Sequence, residues 1–226
     1  MCFTPWVSLT TAIIEFAIAS FILIKYKDYL VPMFSAIFIY VLGFYQFSEF
    51  MLCTSDNPFL WATIGFATYT FLPAIGLHMS IRFTGEKFRN WILYLLPIAV
   101  TLFSFLKNDF VLEASCSGVF VVIRNSLFFS SNLILLAIYG IYYFGFILIS
   151  IWILFSHLKK RGWTKIYYYW LIAAIITIIA PILLIIILPA MSFQFPSIYC
   201  EFALGFTIAA VASSEIYSRK KKKEEF

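Results

Sequence analysis

Charge is what this chain has least of. Only 12% of its 226 residues are Asp, Glu, Lys or Arg, against 63% hydrophobic, and mean hydropathy is +0.95. A water-soluble fold cannot bury that much apolar side chain, which excludes a soluble globular enzyme. Histidine is scarcer still. With two residues, His78 and His157, the chain falls short of the several imidazoles that a seven-helix zinc hydrolase would place at its metal. Lysine is missing from Ser197 to Tyr217, which excludes a retinal Schiff base on a last helix. Neither a P-loop nor a GxSxG elbow occurs, so nothing in the sequence asks for catalysis. No low-complexity linker, internal repeat or appended soluble domain is visible.

What is present is a series of apolar runs of about 20 residues, each able to satisfy its backbone in lipid only as a helix, since barrel strands would be about 10 alternating residues. The fold class expected is all-α, a polytopic seven-transmembrane helix bundle. The spans run Trp6 to Ile24, Leu30 to Cys53, Phe59 to Ile81, Trp91 to Leu106, Leu133 to Phe155, Ile166 to Leu188 and Ser197 to Tyr217. Pro97 interrupts the short fourth run, so six spans with a re-entrant fourth segment is the alternative.

Basic residues set the orientation. Lys25 and Lys27, then Arg82, Lys87 and Arg89, then Lys159, Lys160, Arg161 and Lys165, and finally Arg219 and Lys220 to Lys223 fall on one side; only Lys107 and Arg124 fall opposite. Positive residues gather on the cytoplasmic face, which puts the N-terminus outside and makes Ser218 to Phe226 a basic cytoplasmic tail in a cell-membrane protein. The net charge of +5 is then explained by topology and by attraction to anionic membrane lipid, with no nucleic-acid partner needed. The first run has no basic stretch before it and no clear cleavage site, so it is expected to stay as a helix. Tyr26, Tyr29, Trp91, Tyr94, Trp163 and Tyr167 to Trp170 sit near predicted interfaces, where they would anchor the bundle.

The outer loop between the fourth and fifth spans, Lys107 to Asn132, carries two β-rich runs around a Ser-Gly turn and reads as a short hairpin. It is either a lid over the mouth of the bundle or an ordinary structured loop.

Ionisable side chains inside a span are costly and therefore mark candidate sites. Glu15 lies near the middle of the first run, Glu49 and Glu201 near the outer ends of the second and seventh, and His78 near the inner end of the third. If the helices follow sequence order round the bundle, Glu49 and Glu201 converge on one corner, where a carboxyl pair can share a proton or bind a cation or an amine. Alternatively each caps a polar cluster with Tyr45, Gln46, Ser48 or Tyr199. His78, beside Arg82, is read as bonding a backbone carbonyl or a tyrosine, with proton relay as the alternative. Glu49, Glu201, Glu15, Gln46 and His78 are thus the ligand-binding or titrating candidates. No catalytic residue, cofactor or metal ligand is assigned.

The four cysteines, Cys2, Cys53, Cys116 and Cys200, all fall at the outer face. An even count in an oxidising compartment favours disulfides with three connectivities open, and a bridge from Cys116 to a helix end would pin the hairpin. A thiolate and carboxylate metal site is the rival reading, without CxxC or HxxxH spacing to support it.

Met1-Cys-Phe-Thr, followed by Tyr45-Gln-Phe-Ser-Glu49, resembles a family of small multi-spanning bacterial and archaeal membrane proteins of unknown function that begin Met-Cys-Phe-Ser and carry a Gln-rich, Glu-containing second helix. Leu72-Pro-Ala-Ile-Gly-Leu-His-Met-Ser-Ile-Arg-Phe-Thr-Gly85 is similar to the third-helix ending in seven-helix sensor regions of some histidine kinases. Here Thr4 replaces the expected Ser. The resemblance implies that Cys2 and Glu49 act together in a sensor-like fold, and implies no activity. The function expected is a sensor-like module that binds a small molecule or lipid in an outward-facing polar pocket at the first, second and seventh helices. It would signal through a separate cytoplasmic partner protein. The alternatives are a small transporter or ion-conducting protein, an intramembrane metal-dependent enzyme, and an accessory protein.

Overall fold

A computed structural model describes residues 5–85, 90–116, 121–129, 133–158, 164–187 and 195–224. Among these the chain is mostly helical, with eight α-helices and one two-stranded sheet: α1 (Pro5–Lys25), α2 (Leu30–Thr54), α3 (Pro58–Thr84), α4 (Leu95–Leu106), β1 (Val111–Cys116), β2 (Val121–Asn125), the single turn α5 (Ser126–Phe129), α6 (Leu133–His157), α7 (Thr164–Ile187) and α8 (Phe195–Glu224). Of the described helices, α1, α2, α3 and α6 are each long and apolar enough to cross a membrane. The expected loop positions of Lys87, Arg89, Lys159, Lys160, Arg161 and Trp163, and the Ser-Gly turn of the hairpin, lie outside the described residues.

Local chemistry sets several helix ends. The Asn57 side chain accepts from the Leu60 N–H at 3.2 Å, and Pro58 fills the first helical position, where its missing N–H costs nothing. Gly85 closes α3 at φ 74, a left-handed conformation that suits glycine. Pro97 does not break the fourth run. It stands third in α4, again where no N–H is needed, and a 3₁₀ turn over Asn90–Tyr94 leads into it.

Inside α3, Pro73 deprives the Tyr69 carbonyl of its helical partner. Next to that opened turn the Tyr142 hydroxyl donates to the Thr70 carbonyl at 2.6 Å, and the Thr70 and Tyr139 hydroxyls lie 3.1 Å apart, tying α3 to α6.

The packing order is α1 on α2, α2 on α3, α3 on α6, α6 on α7 and α7 on α8, with α8 returning against α2 and α1. Apolar side chains point outward as well as inward. Ile24, Ile134, Ile141 and Trp152 are largely exposed, while Ser8, Thr11, Glu15, Gln46, Glu49 and Thr207 are buried. A bundle with apolar flanks and polar groups inside is what a lipid solvent selects.

The two ends of the bundle differ. At one end Lys25 of α1 and Arg219 of α8 pair with Glu215 at 3.4 and 2.7 Å, and the Tyr26 hydroxyl donates to the same carboxylate. Burial, and then that carboxylate, hold the Tyr26 pKa above the usual phenol value. The stretch read as a tail is helical through Glu224, since Lys, Arg and Glu are good helix formers and Arg219 pairs one turn back. At the other end β1 and β2 pair antiparallel and pack against α2 and α3, with Val121 beside Leu52 and Ala62 and Phe110 on Phe66. A disulfide joins Cys53, at the end of α2, to Cys116, at the end of β1 (Cα–Cα 5.6 Å).

Candidate functional site

The buried face of α1 is polar in its first half. Ser8, Thr11 and Glu15 follow one another at helical spacing, and Ala19 and Ile22 continue the same stripe. Opposite them on α2 stand Gly43, Gln46 and Glu49, again one turn apart. The two helices meet closely because position 43 is glycine: a Cβ there would lie 2.9 Å from a Phe16 ring carbon and 3.2 Å from the Glu15 Cβ. Glu15 is therefore level with Gly43, and six residues of α2 carry the seam up to Glu49, roughly 9 Å along the axis. Gln46 stands between.

The two carboxyls are held differently. Glu49, 2% exposed, accepts from the Tyr45 hydroxyl at 2.6 Å, with the buried Ser8 hydroxyl of α1 facing it. Tyr45 in turn packs edge-on against Tyr69 of α3. Ser48, beside it, donates to the Tyr45 carbonyl at 2.6 Å and fits only because position 65 is glycine, where a Cβ would lie 2.8 Å from the serine oxygen.

Glu15 is 0% exposed, and neither of its oxygens has a hydrogen-bond partner among the described residues. The buried Thr207 hydroxyl on α8 faces it. An ionised carboxylate in that position needs a cation or a donor, which no hydrogen bond among the described residues supplies. Below this level the seam ends. Ala19, Ile22, Ile39 and Ala210, each 0% exposed, close the space between α1, α2 and α8 with hydrocarbon.

His78 belongs elsewhere. Arg82 Nε donates to His78 Nε2 at 3.3 Å, so Nδ1 carries the proton and donates to the Tyr94 hydroxyl at 2.9 Å. That fixes α3 to the turn before α4 and keeps His78 away from both glutamates. Glu201 and Cys200 lie on the first turns of α8, and their side chains fall outside the described residues, as does Cys2. The structure thus brings Glu15, Gln46 and Glu49 into one seam, and says nothing of a Glu49–Glu201 pair. Among the described residues no cluster of three His, Cys, Asp or Glu is arranged to hold a metal.

Sequence reasoning missed Ser8, Thr11, Gly43 and Thr207. The spacing of Ser8, Thr11 and Glu15 on one face was available as a signal, and so was Gly43 one turn from Gln46. Thr207 was not, because its facing Glu15 depends on how α8 is rotated. Comparison with known proteins yields no relative: no family model, no curated protein and no solved structure matches the chain.

Proposed function

We propose that this chain is a seven-span membrane module, N-terminus outside and C-terminus cytoplasmic, that binds a small cation or organic ammonium from the outer side through Glu15, Gln46 and Glu49. Two features support the orientation. Lys25, Arg82, Lys165 and Arg219 gather at the helix ends away from the Cys53–Cys116 bridge, and a disulfide belongs to an oxidising face. The fourth span is supported by α4 and its 3₁₀ lead-in, whose rises sum to roughly 28 Å, close to the ~30 Å of bilayer hydrocarbon.

The observation that carries the functional reading is Glu15, buried and without a hydrogen-bond partner among the described residues, at the floor of a polar seam sealed toward the basic end. A membrane-buried carboxyl without a partner is a site awaiting one. Because hydrocarbon blocks the seam below Glu15, binding is favoured over conduction, and occupancy would be communicated through helix packing to a cytoplasmic partner protein. The successive depths of Glu49 and Glu15 favour a transporter as the second reading.

Carbodiimide labelling separates the two. Dicyclohexylcarbodiimide attacks protonated carboxyls in apolar surroundings, so mass spectrometry should find Glu15 modified, with butylammonium or sodium protecting it in wild type and not in Glu49→Gln. Proteoliposomes should show no sodium or proton flux above the protein-free rate. Flux that disappears in Glu15→Gln would establish the transporter instead, and an unlabelled Glu15 indifferent to both cations would remove the binding site.

A further inference from the structure

A second space in the bundle is unlike the polar seam. A half-open groove runs between α2, α3, α6, α7 and α8, lined by side chains that include Phe38, Leu72, Gly76, Tyr143, Trp170 and Phe206. Its walls offer almost no polarity. The Ser80 and Ser150 hydroxyls that border it donate to their own helix carbonyls, Gly76 and Phe146, at 2.9 and 2.8 Å. The Trp170 indole N–H is turned to Ser213 on α8 at 3.1 Å, leaving the ring for the groove, where Phe38 and Phe206 pack against it. A ligand with a hydrogen-bonding head would find no match inside, whereas an alkyl chain would.

Length and charge narrow the occupant. On α6 the lining runs from Tyr143 to Leu154, a rise of roughly 16 Å, against about 15 Å for one leaflet of hydrocarbon. It extends from mid-bundle toward the basic end. There the exposed Arg82 lies two residues beyond Ser80 on α3, and the exposed Lys165 lies on the first turn of α7. The Tyr167 hydroxyl, bonded to the Phe83 carbonyl at 3.0 Å, holds those two helix ends together.

We infer that this groove takes one acyl chain of an anionic phospholipid from the leaflet at the basic end, with Arg82 and Lys165 drawing the headgroup. The site is separate from the Glu15 seam and does not depend on how that seam functions.

Trp170 supplies the probe, since bromine atoms on an acyl chain quench indole emission only at short range and Trp170 is 2% exposed. A protein with Phe at positions 6, 61, 91, 152 and 163 keeps Trp170 as its only tryptophan. It is reconstituted in phosphatidylcholine vesicles containing a small fraction of phosphatidylglycerol brominated at mid-chain. The expected result is a saturable loss of Trp170 emission, reversed by unbrominated phosphatidylglycerol and much less by extra phosphatidylcholine. Gly76→Phe should abolish the quenching while leaving the emission maximum in place, because a Cβ at position 76 meets only Phe38, at 3.7 Å, and the ring beyond it fills the groove. Should that variant misfold, Ala174→Leu narrows the same groove from α7 and is read in the same way. Emission that brominated lipid leaves untouched, or quenching that survives a well-folded groove-filling variant, overturns the site. Equal competition by phosphatidylcholine, or a headgroup preference unchanged in Arg82→Gln/Lys165→Gln, overturns the anionic assignment.

Discussion

Replacing Glu15 by methionine should make the protein more stable, and replacing Glu49 by leucine should make it less so. Both Glu15 oxygens are buried without hydrogen-bond partners among the described residues, a state that costs about 1–3 kcal/mol for a polar group held from water. Methionine has similar length, no polar atom that needs a donor and enough flexibility to fit beside Gly43, so Glu15→Met should recover most of that penalty. At this chain length about 1 kcal/mol moves Tm by roughly 2–4 °C, which puts the expected rise near 5 °C. Glu49 is the opposite case. Its removal leaves the wholly buried Tyr45 hydroxyl without the carboxylate it donates to at 2.6 Å, at a cost of about 1–3 kcal/mol. Thermal unfolding of the two purified variants in the same detergent, followed by intrinsic fluorescence, gives both signs in one experiment. Shifts in the same direction, or a fall for Glu15→Met, would refute the argument that Glu15 is held at a cost and Glu49 is structurally satisfied.

The α1–α2 contact at Gly43 predicts that Gly43→Leu destabilises by about 1–3 kcal/mol through collision with Phe16 and the Glu15 Cβ, while Gly76→Ala, with 3.7 Å to its nearest neighbour, is neutral or gains up to about 1 kcal/mol of helix propensity; paired melting curves check the contrast. Tyr142→Phe removes the donor to the Thr70 carbonyl beside Pro73 and should cost about 0.5–1.5 kcal/mol, measured by denaturant titration; an unchanged midpoint would mean the bond does not hold α3 to α6. Reducing Cys53–Cys116, which spans 63 residues, should cost about 2–4 kcal/mol and show in hydrogen exchange as faster amides in β1 and β2, with α1 and α8 unchanged.

The helices were legible because run length and polarity are properties of the chain itself. Pro58, Asn57 and Gly85 announce the ends of α3, and α2 follows its expected limits within a residue. Pro97 stands in the first turn of α4, where a proline costs little, and where that turn begins follows from the 3₁₀ segment before it, which the sequence did not show. Glu15 stood out by its cost in lipid, but its surroundings did not: Thr207 faces it through the rotation of α8, and the Gly43 contact through the approach of two helices distant from any loop constraint. The partner of Cys53 was equally hidden, because four cysteines at one face leave three pairings and only the fold of the hairpin brings Cys116 to the end of α2.

The unbroken run of α8 from the Glu15 level to Glu224 makes that stretch a single stiff rod. From Thr207 to Glu224 are eighteen residues without a proline or a glycine, roughly 26 Å of hydrogen-bonded rod with little torsional slack. If Glu15 takes up the cation we propose, a rotation imposed there would travel along that rod to its basic end, where Arg219 stands. The Glu215 contacts with Lys25 and Tyr26, which tie α8 to the end of α1, would be the first to resist such a rotation.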